Sequence, residues 1–420
     1  MLKRFIQKET GSLPLNLRKN PSIVHYYNEI IRFWNKLNFV VKRNLKNSST
    51  IGPDIMSKYL YATYRILWEK ASDTTINKEL KGMRKPFLNK IRSFSWKKAL
   101  KNKSKNEKFS ICKGIPSFMV NHLQPFMDHE FFNKNVEVMN GDYNNIEISV
   151  RMNNLFGDTT VKELFLKIKE SFKLDKIDIH QDPNIPELFN VPIKYKNKIT
   201  KSTWYKNGYL ILQNKASVAV VQALSPLKED IVYDMCAAPG LKTSLIAQYM
   251  ENKGFILAGE FLIDRMNIMK NLVAHLKVLN CLIVNIDSID PPFRFENYFD
   301  CILLDAPCTG SGALFANPEL KWRQNISFLH QNTILQDKLL KSAIKLLKPK
   351  GILVYSTCSL YPDEGEFQIL KYKDELEPLN LPDWFGESYE INGIRIPGTA
   401  RLFPAQHHTE GFFIGKFKKK

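Results

Sequence analysis

The chain has 420 residues, 61 Lys plus Arg against 42 Asp plus Glu (formal charge +19), and 44% hydrophobic and 12% aromatic residues. That is long enough for two or three domains with buried cores and too apolar for a disordered tail. No apolar run approaches the roughly 20 residues that span a bilayer, and the first thirty residues lack a compact secretory segment, so a soluble cytoplasmic protein with no membrane partner is expected. The basic start "MLKRFIQKET" leaves an organelle, or the nucleolus of a eukaryote, as the alternative.

The excess charge sits at one end. Residues 1–110 hold 25 Lys plus Arg against 7 Asp plus Glu, and the remainder holds 36 against 35. This is the footprint of a polyanion-binding module joined to a separate working domain; the plain alternative is a solvated Lys-rich surface. Tyr26, Tyr27, Trp34, Tyr59, Tyr64, Trp68 and Trp96 interleave with the charges, most of them as core.

Along the chain, Asn20-Pro21 reads as an N-cap and first helical proline, followed by one helix through "SIVHYYNEIIRFWNKLNFVVKRNL". A second helix runs through "DIMSKYLYATYRILWEKA", and a less regular helical stretch interrupted by Pro86 follows. The run "KNKSKNEK" at 101–108 reads as an exposed linker. Beyond it come a short helix in "GIPSFMVNHLQPFM", a strand in "NIEISVRMNN", an amphipathic helix in "TVKELFLKIKESF", a strand in "DKIDIHQ" and an extended stretch, "WYKNGYLILQNKASVAVVQAL". From Asp230 onward strands alternate with helices, the signature of a doubly wound parallel sheet.

Five apolar runs in that half end in polar or reactive groups. "IVYDMC" leads into "AAPGLKT", "FILAGE" ends at Glu260, "CLIVNID" at Asp287, "CILLDAPC" at Cys308 and "ILVYSTC" at Cys358. In an open parallel sheet, ligands bind beyond the carboxyl ends of the strands, so all five converge on one crevice. The loop Ala237–Thr243 turns through Pro239-Gly240 into a helix N-terminus, a seat for a carboxylate. Glu260, twenty positions after Gly240, suits ribose hydroxyls, and Asp287 suits an adenine or is merely a turn residue. No G-x-G-x-x-G or G-x-x-x-x-G-K-[ST] is present, so S-adenosylmethionine fits better than a dinucleotide or ATP.

Six cysteines (112, 236, 281, 301, 308, 358) include no C-x-x-C pair, and no His-rich tract accompanies them, so neither a zinc site nor a disulfide framework is expected. Cys112, Cys281 and Cys301 lie in apolar runs and read as core; Cys236 packs beside the cofactor loop. Cys308 and Cys358 lie among small polar residues. A thiolate adding to carbon 6 of cytosine makes carbon 5 nucleophilic enough to accept a methyl group, and a second thiol assists release. Asp305 is placed to assist at ring nitrogen 3. Two core thiols and a redox disulfide are the alternatives.

Together "DMCAAPGLKT", "DAPCTGSG", "NPELKWR", "YSTCSLYPDEGE" and "RLFPAQHHTEGFF" resemble the Nop2/Sun (Fmu, RsmB-like) family of RNA cytosine-5 methyltransferases. The resemblance is firm from Asp230 onward and fainter over "IPSFMVNHL", "ISVRMNN" and "GYLILQNKAS". It implies an α/β, Rossmann-like class I methyltransferase domain at 207–420, a small α+β (RRM-like) unit at 109–206 and an all-α NusB-like RNA-binding domain at 1–108. By resemblance Cys358 is the nucleophile, Cys308 assists release, and Asp305 contacts the base with Lys242 nearby. The cofactor residues would be Cys236, Ala237, Ala238, Pro239, Gly240, Leu241 and Lys242, with Glu260, Arg265, Asp287 and Asp305; no metal is implied. The partner would be RNA, rRNA favoured over tRNA, bound by a monomer.

The chain departs from the family pattern at Asn214, where an Asp is common, and at Phe315-Ala316, where a basic pair is common. These put a charge near the cofactor edge and a phosphate contact in doubt. An exocyclic-nitrogen methyltransferase is disfavoured because "DAPC" stands where [ND]-P-P-[YF] would. A non-catalytic RNA-binding ribosome assembly factor is the alternative from another class; it would be signalled by loss of a thiol or of Asp305, and all three are present.

Overall fold

The computed structural model describes residues 20–45, 51–141, 147–157 and 159–420; "MLKRFIQKET" lies outside them. The chain forms two compact units, one of Met1–Asn140 with Leu314–Ile326 and the other of Gly141–Ala313 with Ser327–Lys420. Among the described residues no helix is long and apolar enough to cross a membrane.

The first unit is helical, with helices at Pro21–Arg32, Trp34–Asn44, Pro53–Leu67, Asp73–Glu79 and Lys85–Arg92. Their apolar stripes meet in a core that includes Ile30, Leu37, Val41, Leu60 and Leu88. Asn20 caps the first helix by accepting from the backbone N–H groups of Ser22 and Ile23. The single long helix expected from residue 21 breaks at Phe33, whose backbone leaves the helical region. Its cause is the inserted segment Leu314–Ile326: Ile31 O accepts from the Trp322 indole at 2.6 Å and Arg32 O from Lys321 Nζ at 3.2 Å. Lys321 is fully buried, also donates to Gly114 O and Asn140 Oδ1, and burial pushes its pKa well below the ordinary lysine value.

Residues 101–108 are not a linker. Lys105–Lys113 is a helix opened by a capping box between Ser104 and Glu107 and closed by Gly114. The Ser-x-x-Glu spacing carries that signal, hidden by the surrounding charge. Tyr27, Tyr59 and Tyr64 are buried, and Trp34, Trp68 and Trp96 pack against the core. Lys36 Nζ lies 5.1 Å from the Trp68 ring centre and 5.3 Å from that of Trp96. Phe315, one of the two departures, lies under the Arg32 guanidinium, 4.8 Å from its ring centre. Cys112, expected in a core, is exposed.

The second unit opens with an antiparallel sheet of β1 (Glu147–Met152), β2 (His180–Gln181), β3 (Leu188–Pro192) and β4 (Leu210–Leu212), in the order β2-β3-β1-β4. The helix Val161–Leu174 packs on it. Strand β2 is shorter than "DKIDIHQ". The stretch expected to be extended to residue 224 becomes the helix Lys215–Leu224, capped by Asn214, which accepts from the Ala216 N–H. Its valines are buried against the large sheet, and that tertiary packing overrides their β-propensity.

The large sheet holds β5 (Ile231–Asp234), β6 (Phe255–Glu260), β7 (Cys281–Asn285), β8 (Phe299–Asp305), β9 (Leu347–Thr357), β10 (Leu376–Pro378) and β11 (Gly386–Glu387). After a hairpin of β12 (Glu390–Ile391) and β13 (Ile394–Arg395), β14 (Thr399–Leu402) and β15 (Phe412–Lys419) complete it. Its order is β11-β14-β15-β9-β8-β5-β6-β7, with β10 beside β15. Strands β9-β8-β5-β6-β7 are mutually parallel and β15 joins β9 antiparallel, a Rossmann-like sheet. Chain order reverses between β5 and β8, which opens a crevice there.

The small sheet is fused to this one. Arg151 on β1, fully buried, donates to Leu241 O at 2.9 Å and Ser244 Oγ at 2.7 Å, and Asn153 donates to Leu276 O at 3.0 Å. Arg401 on β14 and Glu366 form a two-pronged ion pair, Nε to Oε1 at 2.8 Å and Nη2 to Oε2 at 2.6 Å, with neither side chain exposed. Glu366→Gln leaves that guanidinium charge unpaired, and denaturant unfolding is expected to register a loss of about 3–5 kcal/mol. The double replacement Glu366→Leu/Arg401→Met, which removes both charges, is expected to cost less.

Candidate active site

Strands β8 and β9 run side by side with Asp305 opposite Ser356. The loops leaving their carboxyl ends carry Cys308 and Cys358, whose sulfurs are 3.2 Å apart and hydrogen-bonded. Both thiols are half-buried, whereas Thr309, Ser311, Ser356, Thr357 and Ser359 around them are buried. Hydrogen bonding to Cys358 and burial, with smaller contributions from the charges of Cys358 and Glu364, raise the Cys308 pKa well above the ordinary thiol value.

Lys242, in the first turn of the helix Leu241–Tyr249 that follows β5, reaches across the switch point. Its Nζ donates to Asp305 Oδ2 at 2.6 Å, and Ser356 Oγ donates to Asp305 Oδ1 at 2.7 Å. Burial alone would lower the Lys242 pKa, but Asp305, by charge and hydrogen bond, and then Asp234 and Cys358 raise it overall. The pair is thus a half-buried carboxylate and ammonium, its Asp305 three residues before Cys308.

The loop from Cys236 to Lys242 turns beneath β6. Gly240 has φ +99°, and a Cβ there would stand 2.9 Å from Met269 Cγ, so the close approach of the helix Ile263–His275 requires glycine. Arg265 ties the loop to the acid at the end of β6, donating to Ala238 O at 2.6 Å and lying 3.4 Å from Glu260 Oε2. Glu260 Oε1 accepts from the Leu262 N–H. Asp287 is exposed beyond β7, where its Oδ1 accepts from the Ile289 N–H at 3.0 Å. Backbone donors at a helix N-terminus with carboxylates beyond two successive strands match the carboxylate, ribose hydroxyls and adenine amine of S-adenosylmethionine. Burial, then the charges of Asp234, Asp305 and Glu260, raise the Cys236 thiol far above its ordinary value, so it packs as a neutral group.

Several residues of the site are absent from the sequence expectation. Glu410 is half-buried between Thr409, which accepts from the Ala216 N–H, and Gly411, which donates to Gly312 O. A Cβ on Gly312 would fall 2.0 Å from Gly411 O, so the two loops meet only as glycines. Burial raises the Glu410 pKa to about 7, opposed by the charge of Lys242 and reinforced by that of Asp305. It lies inside the quoted run "HTEGFF", but nothing about its spacing distinguishes it. Asn214 still accepts from the Thr409 hydroxyl at 2.7 Å, so the amide serves this contact without a charge.

A family model described as 16S rRNA methyltransferase RsmB/F matches residues 221–418. The tRNA (cytosine(49)-C(5))-methyltransferase of Pyrococcus abyssi is 34% identical over 291 residues, covering 66% of this chain and 89% of that protein. The mouse 28S rRNA (cytosine-C(5))-methyltransferase is 36% identical over 228 residues, 51% of this chain and 28% of its own length. The crystal structure of PH0851 superposes over 95% of this chain and 90% of its own, with a TM-score of 0.79 and 25% identity.

Asp234, fully buried beneath the cofactor loop, accepts from Thr243 Oγ1 at 2.7 Å, and desolvation raises its pKa to about 7. The folded state therefore holds a proton that the unfolded chain releases near pH 4, so ionising Asp234 erodes stability as pH rises from about 4 to about 7. Asp234→Asn is expected to flatten that decline, as measured by urea unfolding of the protein at pH 5 and pH 7.5.

Proposed function

Because this chain belongs to the RsmB/F (Nop2/Sun) family of S-adenosylmethionine-dependent RNA cytosine-C5 methyltransferases, we propose that it methylates carbon 5 of a flipped or unpaired cytosine through a covalent adduct on Cys358. The observation that carries this reading is the Cys308–Cys358 contact at 3.2 Å beside the Lys242–Asp305 pair. When bound, S-adenosylmethionine supplies an electrophilic methyl group.

The chain's own groups divide the remaining work. The Cys358 thiolate adds to carbon 6; Lys242 donates to N3, drawing electron density from carbon 6, while the Asp305 carboxylate accepts from the N4 amine. The resulting enamine places negative charge on carbon 5, which takes the methyl group. The bond between carbon 6 and Cys358 then breaks as the carbon 5 proton passes to Cys308, and the ring regains aromaticity. Cys308 hands its own proton to the departing Cys358 sulfur as it takes up the carbon 5 proton, and so assists release. The cofactor groups would be the Cys236–Lys242 loop, Glu260, Arg265 and Asp287.

A base must leave its stack to reach half-buried thiols, so the substrate is a loop, bulge or flipped nucleotide. The basic helical unit supplies phosphate contacts, and its aromatics, being packed, leave little for base stacking. The substrate class is rRNA or tRNA, as for the relatives. One chain provides thiols, acid and amine together, which supports action as a monomer.

With S-adenosylmethionine and total RNA, Cys308→Ala is expected to accumulate a denaturant-stable protein–RNA band that sequencing of the attached RNA identifies. The band should vanish when Cys358 is also replaced by Ala. Asp305→Asn is expected to lower methyl transfer by about 10²–10⁴-fold while RNA binding, measured by filter retention, is preserved.

A further inference from the structure

Two sulfurs on separate loops hold a useful separation only if something fixes one loop against the other. The run "YPDEGE" that follows Cys358 contains a fully buried carboxylate, Glu364. Its Oε1 accepts from the Thr309 N–H at 2.9 Å and from Gln336 Nε2 at 3.0 Å, and its Oε2 accepts from the Thr309 hydroxyl. Gln336 Nε2 also donates to Pro307 O at 2.8 Å. The residues immediately before and after Cys308 are thus held through one carboxylate, directly at Thr309 and through Gln336 at Pro307.

The backbone of the same residue is tied to the other thiol's strand. Glu364 O accepts from Tyr355 OH at 2.9 Å and Thr357 Oγ1 at 3.1 Å, and Thr357 directly precedes Cys358. Beyond it, Arg401 holds Ser359 O at 2.9 Å and Tyr361 O at 3.2 Å. An apolar residue at 364 would remove the carboxylate acceptors of the buried Thr309 N–H and hydroxyl.

We propose that Glu364 is a positioning residue that sets the Cys308 thiol against Cys358, so that it governs release of the covalent product more than its formation. This rests on the two-thiol reading above. The charge of Glu364 also contributes to keeping Cys308 protonated. Both effects act through Cys308, and neither touches cofactor or base.

The test uses the full-length protein with S-adenosylmethionine and the RNA trapped by Cys308→Ala. Glu364→Ala is expected to raise the steady-state fraction of covalent adduct at least about tenfold over wild type, with kcat reduced and KM for RNA within about twofold. Glu364→Gln, which keeps an acceptor for the Thr309 N–H, should restore most of the turnover. Gln336→Leu, which frees Pro307 O and withdraws one donor from Glu364, should accumulate adduct to an intermediate level and serves if Glu364→Ala does not fold. S-adenosylmethionine binding by each variant verifies the folded state. Adduct in Cys308→Ala with none in folded Glu364→Ala or Gln336→Leu would overturn the inference alone, as would turnover and adduct formation falling in parallel. No adduct in Cys308→Ala would overturn the two-thiol reading and this inference with it.

Discussion

Two thiols can act on one cytosine ring only when both approach the same few atoms, and side chains on separate loops do not stay together without restraint. Parallel pairing of β8 and β9 brings the two loops to one end of the sheet, and the register of Asp305 opposite Ser356 leaves Cys308 and Cys358 a few residues beyond it. The rest of the catalytic unit elaborates this arrangement. The switch point admits Lys242 from the first turn of the helix that follows β5, and β15 pairs with the outer side of β9. Buried carboxylates hold the loops from behind, Glu364 gripping one and the Glu366–Arg401 pair supporting the other.

Charge is divided in the same spirit. The Lys242–Asp305 ion pair is half-buried and hydrogen-bonded, with Ser356 as a second donor to the carboxylate. Lys321, in the helical unit, is a buried ammonium: three oxygen acceptors hold it where two helices break and the inserted segment lies. That segment is part of a family motif by sequence, yet its best-defined contacts here are internal to the helical unit.

Legibility in the sequence followed the range of the forces involved. Strand positions 231–357 were readable because a parallel strand buried on both faces is a continuous apolar run, and the reactive groups at their ends are read directly. The structure brings Cys308 to Cys358 and Lys242 to Asp305 at the carboxyl ends of these strands. Helix Lys215–Leu224 was not readable, since its Val-rich composition favours a strand until the large sheet is present to cover it. The break at Phe33 depends on Lys321 and Trp322, almost 300 residues away. Glu364, Gln336 and Arg401 are likewise invisible to local pattern, because ordinary polar residues become anchors only when loops distant in sequence meet.

The central claim is that Cys358, and not its neighbour 3.2 Å away, bonds to the base. Its most direct test is to incubate wild-type protein and S-adenosylmethionine with substrate RNA containing 5-fluorocytidine, where carbon 5 carries no proton to lose, and to map the modified peptide by mass spectrometry. The account predicts a methylated fluoropyrimidine on the peptide containing Cys358. The same mass on the Cys308 peptide would reverse the two roles, and no modified peptide from protein that methylates unmodified RNA would contradict covalent catalysis altogether.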